Sequence, residues 1–91
     1  MDKESFKKRT KAFAVNTARL CKSLQYDAVI KSYIDQVVRS SASVGANYRA
    51  ACRAKSKPDF INKMRIVEEE ADEALYFLNC YRNFMKIENR N

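Results

Sequence analysis

Near the middle of the chain stands Ser43-Val44-Gly45-Ala46-Asn47-Tyr48-Arg49-Ala50, a stretch that contains the only glycine. Apolar residues at helical spacing on both sides predict that this stretch belongs to one long amphipathic helix. A glycine inside a helix costs about 1 kcal/mol relative to alanine, so we expect it to allow another backbone to approach closely. Small residues around the glycine would extend this contact into a groove for a neighbouring helix. The predicted packing and oligomer contacts are Ser41, Val44, Gly45 and Tyr48.

The composition indicates a single, mostly helical domain. The chain has 91 residues with one Gly and one Pro, whereas sheets and long loops need many turn residues. No apolar run approaches the roughly 18 residues of a membrane span, and the N-terminus lacks the apolar segment of a signal peptide. The three cysteines are widely spaced and form no CxxC motif. This pattern predicts reduced thiols in a cytoplasmic protein without a structural metal and without membrane contact.

Apolar spacing predicts three helices in an antiparallel up-and-down bundle. The predicted helices cover residues 5–24, 28–54 and 57–87 within one domain of residues 1–91. Asp27 is the last residue of a short break at 25–27 and is the predicted cap of the second helix. Ser56 and Asp59 form a pattern like a capping box at the start of the third helix, where Pro58 is tolerated in the first turn.

The apolar residues at helical spacing, which form stripes along the predicted helices, present more surface than three helices can bury among themselves. The first helix carries Phe6, Phe13, Thr17, Leu20, Cys21 and Leu24. The third carries Phe60, Met64, Val67, Ala71, Ala74, Leu75, Leu78, Tyr81 and Met85, and it has a second apolar edge. Helices of this length form a slender bundle, because a compact chain of this size has a radius of gyration of only about 12 Å. We therefore expect apolar surface to remain and the chain to form a homo-oligomer.

Three consecutive segments carry a family resemblance. They are Arg39-Ser40-Ser41-Ala42-Ser43-Val44-Gly45-Ala46-Asn47-Tyr48-Arg49-Ala50-Ala51-Cys52-Arg53-Ala54, then Ser56-Lys57-Pro58-Asp59-Phe60-Ile61-Asn62-Lys63, then Ile66-Val67-Glu68-Glu69-Glu70-Ala71-Asp72-Glu73. Together they resemble the four-helix-bundle family of 23S rRNA intervening-sequence proteins, which includes relatives of the accessory protein of diversity-generating retroelements. The resemblance covers about residues 13–80.

The resemblance implies an up-and-down four-helix bundle that assembles into a homopentamer and has no established enzymatic activity. It implies nucleic acid, from rRNA or a retroelement, as a ligand and a reverse transcriptase as a candidate partner. A family chain continues into a fourth helix, whereas this sequence stops at Asn91. We therefore expect the fourth helix to be missing or to be supplied by another subunit.

Positive charge is concentrated in the first two thirds of the chain. The formal net charge is +7, and residues 1–65 carry 15 Lys and Arg against five acidic residues, whereas residues 66–91 carry three against six. Two basic clusters stand out, one at residues 3–11 and one at residues 49–65. Such clusters bind phosphate backbones without reading sequence, and the same surface could bind an acidic protein partner. The predicted nucleic-acid contacts are Lys7, Lys8, Arg9, Lys11, Arg53, Lys55, Lys57, Lys63 and Arg65.

The acidic segment of the third helix has two interpretations. In the first, Arg49 on the second helix pairs with Glu69 and Glu73 on the antiparallel third helix. In the second, Glu69, Glu70 and Glu73 hold Mg²⁺, as in the all-helical nucleotide pyrophosphohydrolases. Those enzymes need a further ExxD motif, which the chain lacks, and there is no histidine for a di-iron or nucleophilic site. We therefore predict a non-enzymatic binding protein without catalytic residues, metal or cofactor.

Overall fold

The protein folds as three antiparallel helices. The computed structural model describes residues 2–24 and 27–88. Residues 25–26, which belong to the predicted break, lie outside the described residues. The helices are α1 (Lys3–Lys22), α2 (Ala28–Ala51) and α3 (Lys57–Glu88). No strand occurs in the described ranges, so the predicted all-α class is confirmed.

Aspartate side chains cap the first two helices. Asp2 accepts a hydrogen bond from the Ser5 backbone N–H at 2.8 Å, so α1 begins two residues before its predicted start. Asp27 accepts from the backbone N–H groups of Val29 and Ile30, both at 2.9 Å, as its position predicts. Each carboxylate thus satisfies helix-end donors that have no partner within the helix.

The second helix ends three residues before its predicted end. Beyond Ala51 the backbone bonds shorten to an i→i+3 pattern, with Arg53 N–H donating to Ala50 O and Ala54 N–H donating to Ala51 O, both at 3.0 Å. Such bonds tighten the last turn of a helix and redirect the chain. Only five residues therefore separate α2 from α3, which fixes the register of these two helices.

The middle helix holds the other two together. α2 contacts both α1 and α3, whereas no described Cα atom of α1 comes within 8 Å of one in α3. The molecule measures 54 × 21 × 21 Å with a radius of gyration of 15.3 Å, above the roughly 12 Å of a compact chain of this size. The bundle is therefore slender. Among the described helices, none has the length and apolarity that a membrane span requires.

The aliphatic core lies where α1 ends and α2 begins. It is built on Ile30, Ile34 and Val37 of α2 with Cys21 of α1, all at most 6% exposed. The partly buried side chains around it are Leu24, Phe77, Leu78, Tyr81, Phe84 and Met85. Burying one large aliphatic side chain stabilises a fold by about 1.5–3 kcal/mol, so this cluster anchors α3 as well as α1 onto α2.

Small residues fill the middle of the bundle. A methyl group added at Gly45 would lie 3.1 Å from Thr10 Oγ1 and 3.3 Å from Thr10 Cβ. Gly45 does not have a positive φ, so glycine is required there for space and not for backbone conformation. Ser40 and Ser41, on the same helix, are fully buried. The close approach expected at the glycine is made by α1, through Thr10.

Buried hydroxyl groups in this region find their partners within their own helices. Thr10, Ser40 and Ser41 each donate to a backbone carbonyl about one turn earlier, at 3.0, 2.6 and 3.1 Å. No buried side-chain N or O atom of the described residues lacks a hydrogen-bond partner. The helices can therefore pack closely here without leaving an unpaired polar group, which would cost about 1–3 kcal/mol.

Phe13, Leu20 and Leu75 of the predicted core stripes are exposed, because the backbones of α1 and α3 stay more than 8 Å apart. Phe60 and Ala71 of the same stripes are exposed as well. Phe13 and Leu20 are 42% and 49% exposed, and Leu75 is 56% exposed. Leu20 lines a groove together with Arg82 of α3, so this edge of α1 faces α3. Phe13 lies seven residues before Leu20 and is therefore on the same edge of α1. Leu75 lies seven residues before Arg82 and is therefore on the same edge of α3. We call the space between Phe13, Leu20 and Leu75 the apolar cleft.

We predict that Gly45→Val destabilises the fold by about 1–3 kcal/mol, because the branched side chain would push against Thr10. Valine has the better helix propensity, so the loss would report the helix contact alone. Urea denaturation followed by circular dichroism measures it. Ala46→Val is the matched control, because Ala46 is exposed on the next position of the same helix. Equal stability of Gly45→Val and the parent would contradict the contact.

Candidate nucleic-acid interface

The antiparallel packing brings the two basic clusters of the sequence to the same end of the bundle. The start of α1 lies beside the end of α2, where the rings of Phe6 and Tyr48 make an edge-to-face contact with centroids 4.5 Å apart. The first turns of α3 follow directly after the end of α2. We call residues 2–11 and 49–65 the basic end. They contain eleven Lys and Arg but only three acidic residues.

The three acidic residues of the basic end are all engaged in local contacts. Asp2 caps α1. The Glu4 carboxylate lies 3.4 Å from Lys7 Nζ, and Asp59 Oδ1 lies 2.7 Å from Lys63 Nζ. Each pair joins residues within one helix, so neither carboxylate neutralises a cation elsewhere on the basic end. The summed field at this end of the bundle is therefore positive.

Most of the remaining cations are exposed and make no ion pair with a described residue. They are Lys3, Lys8, Lys11, Arg49, Arg53, Lys55, Lys57 and Arg65. Arg9 is exposed as well, whereas Lys7 and Lys63 are half-buried. The predicted nucleic-acid residues thus lie at one end of the molecule, on α1, in the turn after α2 and on the first turns of α3.

Asp59 organises the turn that carries the second half of the basic end. Its carboxylate accepts from the Lys55 backbone N–H at 3.1 Å, while the Asp59 N–H donates to Ser56 Oγ at 3.2 Å. The hydrogen bond from Lys63, followed by that from the Lys55 backbone, holds the pKa of Asp59 below its usual value. The reciprocal bonds resemble the predicted capping box, except that the carboxylate reaches Lys55 and not Ser56.

A groove with cationic walls runs between α1 and α2 at this end. Lys7 and Lys11 stand on one wall and Arg49 on the other, around a volume of about 280 Å³. The residues between the walls are small or short, among them Ala14 and Ala46. We call this the basic groove. The sequence does not reveal it, because it joins residues that are about 40 positions apart.

The interhelix ion pairs involve a different arginine from the predicted one. Arg39 Nη1 lies 3.3 Å from Glu70 Oε2, and Arg39 Nη2 bonds to Glu73. The hydrogen bond with Glu73 is the main cause of a raised pKa of Arg39. Arg49 makes no ion pair within the described residues, so the predicted pairing of Arg49 with Glu69 and Glu73 was wrong.

The short turn explains why Arg39 takes this position. Arg39 lies 12 residues before the end of α2, and Glu70 lies 13 residues after the start of α3, so antiparallel packing places them opposite each other. Arg49 lies only two residues before the end of α2 and is therefore level with the first turns of α3. Glu69 is three helical turns further along. Arg49 lines the basic groove instead.

The acidic segment does not form a metal centre in the described part of the chain. No group of three His, Cys, Asp or Glu side chains is placed to hold a metal ion there. Glu70 and Glu73 are turned to Arg39, and Glu69 is exposed. Two of the three carboxylates of the EExxE pattern therefore serve the α2–α3 contact.

Comparison with known proteins gives one result. A family model described as 23S rRNA-intervening sequence protein matches residues 3–91, a range that includes all three helices. No curated protein and no solved structure matches the chain.

We predict that Asp59→Asn lowers the free energy of unfolding at pH 7 and that this difference disappears in acid. The folded-state pKa of Asp59 is depressed, so its stabilisation is present above the unfolded value of about 3.9. It is lost as the pH falls through the lower folded value. Urea titrations between pH 7 and pH 2.5 measure this, with the exposed Asp72→Asn as control. A difference that persists unchanged at the lowest pH would contradict the assignment.

Proposed function

This chain belongs to the 23S rRNA-intervening sequence protein family, and we propose that it is a nucleic-acid-binding protein without catalytic activity. The basic end is the proposed binding surface, and phosphate groups are what it recognises. The family name connects such proteins with 23S rRNA, so RNA is the first ligand to test.

The convergence of the two basic clusters is the observation that carries this proposal. Separate clusters on a helical protein are commonly only solvated surface, but here residues 3–11 and 49–65 meet at one end. The acidic residues of α3 that could neutralise them lie further along the helix, where Glu70 and Glu73 are engaged with Arg39. A surface on which cations outnumber acidic residues in this way attracts a polyanion, whose counterions are released on binding.

The contacts available at the basic end favour binding without sequence preference. Its exposed groups are mainly ammonium and guanidinium groups, which bind phosphate oxygens. Of the two aromatic residues in the basic end, Phe6 is half-buried against Tyr48, whereas Phe60 is 41% exposed. Sequence reading requires contacts to base edges, whereas a base stacked on Phe60 would add affinity without sequence preference.

Self-association is the second part of the proposal. Phe13, Leu20 and Leu75 border an apolar cleft that the chain does not cover itself. In four-helix bundles a fourth helix fills the corresponding space between the first and third helices. A helix of another copy would bury these residues, and an assembly of five copies is the number that the family resemblance suggests. In such a ring the basic ends add their fields.

The alternative of a Mg²⁺-dependent nucleotide hydrolase has less support. It requires Glu69, Glu70 and Glu73 to share a cation, but two of these carboxylates bond to Arg39. Nucleic-acid binding that is unaffected by Glu69→Gln, together with no Mg²⁺-dependent hydrolysis of nucleotides, would favour the binding protein. Hydrolysis that needs Mg²⁺ and is lost in Glu69→Gln would favour the enzyme.

We predict that RNA binding weakens steeply as salt rises and that Lys55→Gln/Lys57→Gln reduces both affinity and salt dependence. Each phosphate contact contributes about 0.7–0.9 to the slope of log K against log salt, so the double variant should lower it by more than one. Fluorescence anisotropy with a labelled RNA measures this. Arg82→Gln/Lys86→Gln removes the same charge from the opposite end of the bundle and is the control. Equal effects of both double variants on RNA affinity would refute the assignment of the basic end as the binding surface.

We predict that Leu75→Glu shifts the protein from an oligomer towards the monomer. The substitution places a charge in the apolar cleft, which a second copy could then cover only by burying an unpaired carboxylate. Sedimentation velocity at several concentrations measures the subunit number. Asp72→Ser changes an exposed residue of the same helix and should leave it unchanged. A parent protein that sediments as a monomer at all concentrations would overturn the proposed self-association.

A further inference from the structure

We infer that the basic groove between α1 and α2 holds the phosphodiester backbone of one nucleic-acid single strand. This assignment rests on the proposed function, and it names the part of the basic end that makes the closest contact and the form of nucleic acid that fits. Its evidence is the juxtaposition of Lys7, Lys11 and Arg49 on two helices around one narrow space.

The two walls supply cations at a spacing suited to a chain of phosphates. Lys7 and Lys11 lie four residues apart on α1, which separates them by about 6 Å along the helix axis. This is comparable with the distance between neighbouring phosphates of an extended single strand. Arg49 stands on the opposite wall, where its planar guanidinium can donate two hydrogen bonds to one phosphate. A strand in the groove is thus held from both sides.

These cations are available for a ligand. Lys11 and Arg49 are exposed and make no ion pair with any described residue. Lys7 has one partner, Glu4 at 3.4 Å, within its own helix. No carboxylate lines the groove. An anion would therefore enter without displacing an interhelix ion pair.

The small residues between the walls give a strand room to approach the backbone of both helices. The close contact of Gly45 with Thr10 brings α1 and α2 together, and Ala14, Ala42 and Ala46 leave the groove open above that contact. A double helix presents its phosphates on two rims about 6 or 12 Å apart across its grooves. A double helix would contact exposed cations around the basic groove but would be too wide to enter its volume of about 280 Å³.

The groove contains no aromatic side chain, so bases have no platform on which to stack. Recognition by the groove would therefore involve the backbone alone. Oligouridylate and oligoadenylate of equal length should bind with similar affinity.

The groove also stays accessible in the proposed oligomer. Phe13 and Leu20, which border the apolar cleft, lie on the edge of α1 that faces α3. Lys7 and Lys11 lie on its other edge, beside Ala42 and Ala46 of α2. A copy that covers the cleft would therefore leave the groove free.

The test compares the full chain with Lys11→Gln/Arg49→Gln, using a labelled single-stranded oligouridylate and a duplex of the same length. We expect the double variant to bind the single strand about five- to tenfold more weakly, and its salt slope to fall by about 1.4. Duplex binding should change no more than in the control Arg82→Gln/Lys86→Gln. The charge-retaining Lys11→Arg/Arg49→Lys should bind the single strand nearly as well as the parent.

A second variant tests the groove without changing charge. Ala46→Leu places a larger side chain on its floor and should weaken single-strand binding several-fold, while Lys55 and Lys57 remain in place. Circular dichroism verifies that each variant keeps its helices.

The outcomes separate the two proposals. One outcome is that Lys11→Gln/Arg49→Gln binds single strands as well as the control Arg82→Gln/Lys86→Gln does, while the parent still binds RNA in a salt-dependent manner. The groove assignment would then be wrong, and the proposed function would stand. Equal losses for single strand and duplex would also overturn it. If the parent binds neither nucleic acid at low salt, both proposals fail.

Discussion

The contact between Gly45 and Thr10 is the constraint on which the arrangement of the molecule depends. Without a side chain at position 45, Thr10 lies close enough that a methyl group would come within 3.1 Å of its hydroxyl oxygen. Because the buried hydroxyls of Thr10 and Ser41 bond to their own helices, the surfaces that meet here behave as small and apolar. The same short distance brings the cations of α1 to Arg49 and so creates the basic groove.

The central position of α2 explains the two kinds of surface that remain. α1 and α3 both pack on α2, but their backbones stay more than 8 Å apart, so each helix keeps one edge on which no helix packs. Where those edges face each other, the sequence carries Phe13, Leu20 and Leu75. On the far edge of α1 it carries Lys7 and Lys11 instead. One packing geometry thus separates an apolar surface suited to another copy from a cationic surface suited to phosphate.

Much of this fold was predictable from the sequence because the relevant interactions are local. Helical spacing, the cap at Asp27 and the pairing of Ser56 with Asp59 depend on residues within a few positions of each other. The single glycine also identified a close approach. Its partner, Thr10, was not identified, because a threonine among apolar residues gives no distinct signal. Phe13 and Leu75 have core-like spacing, and only the separation of α1 from α3 leaves them exposed.

The error over Arg49 follows from the register of two helices, which spacing within each helix does not reveal. Counting outward from the five-residue turn would have placed Arg39, and not Arg49, opposite Glu70. That register has an electrostatic consequence. Glu70 and Glu73 of α3 are held beside Arg39, and these two engaged carboxylates cannot neutralise the cations of α1 and the turn. The exposed Glu68 and Glu69 lie about one turn beyond Arg65 but about three turns beyond Lys57. Since exposed charges more than about 8–10 Å apart are largely screened at physiological salt, these carboxylates offset the charge of Arg65, whereas Lys57 and the turn before it keep their positive field.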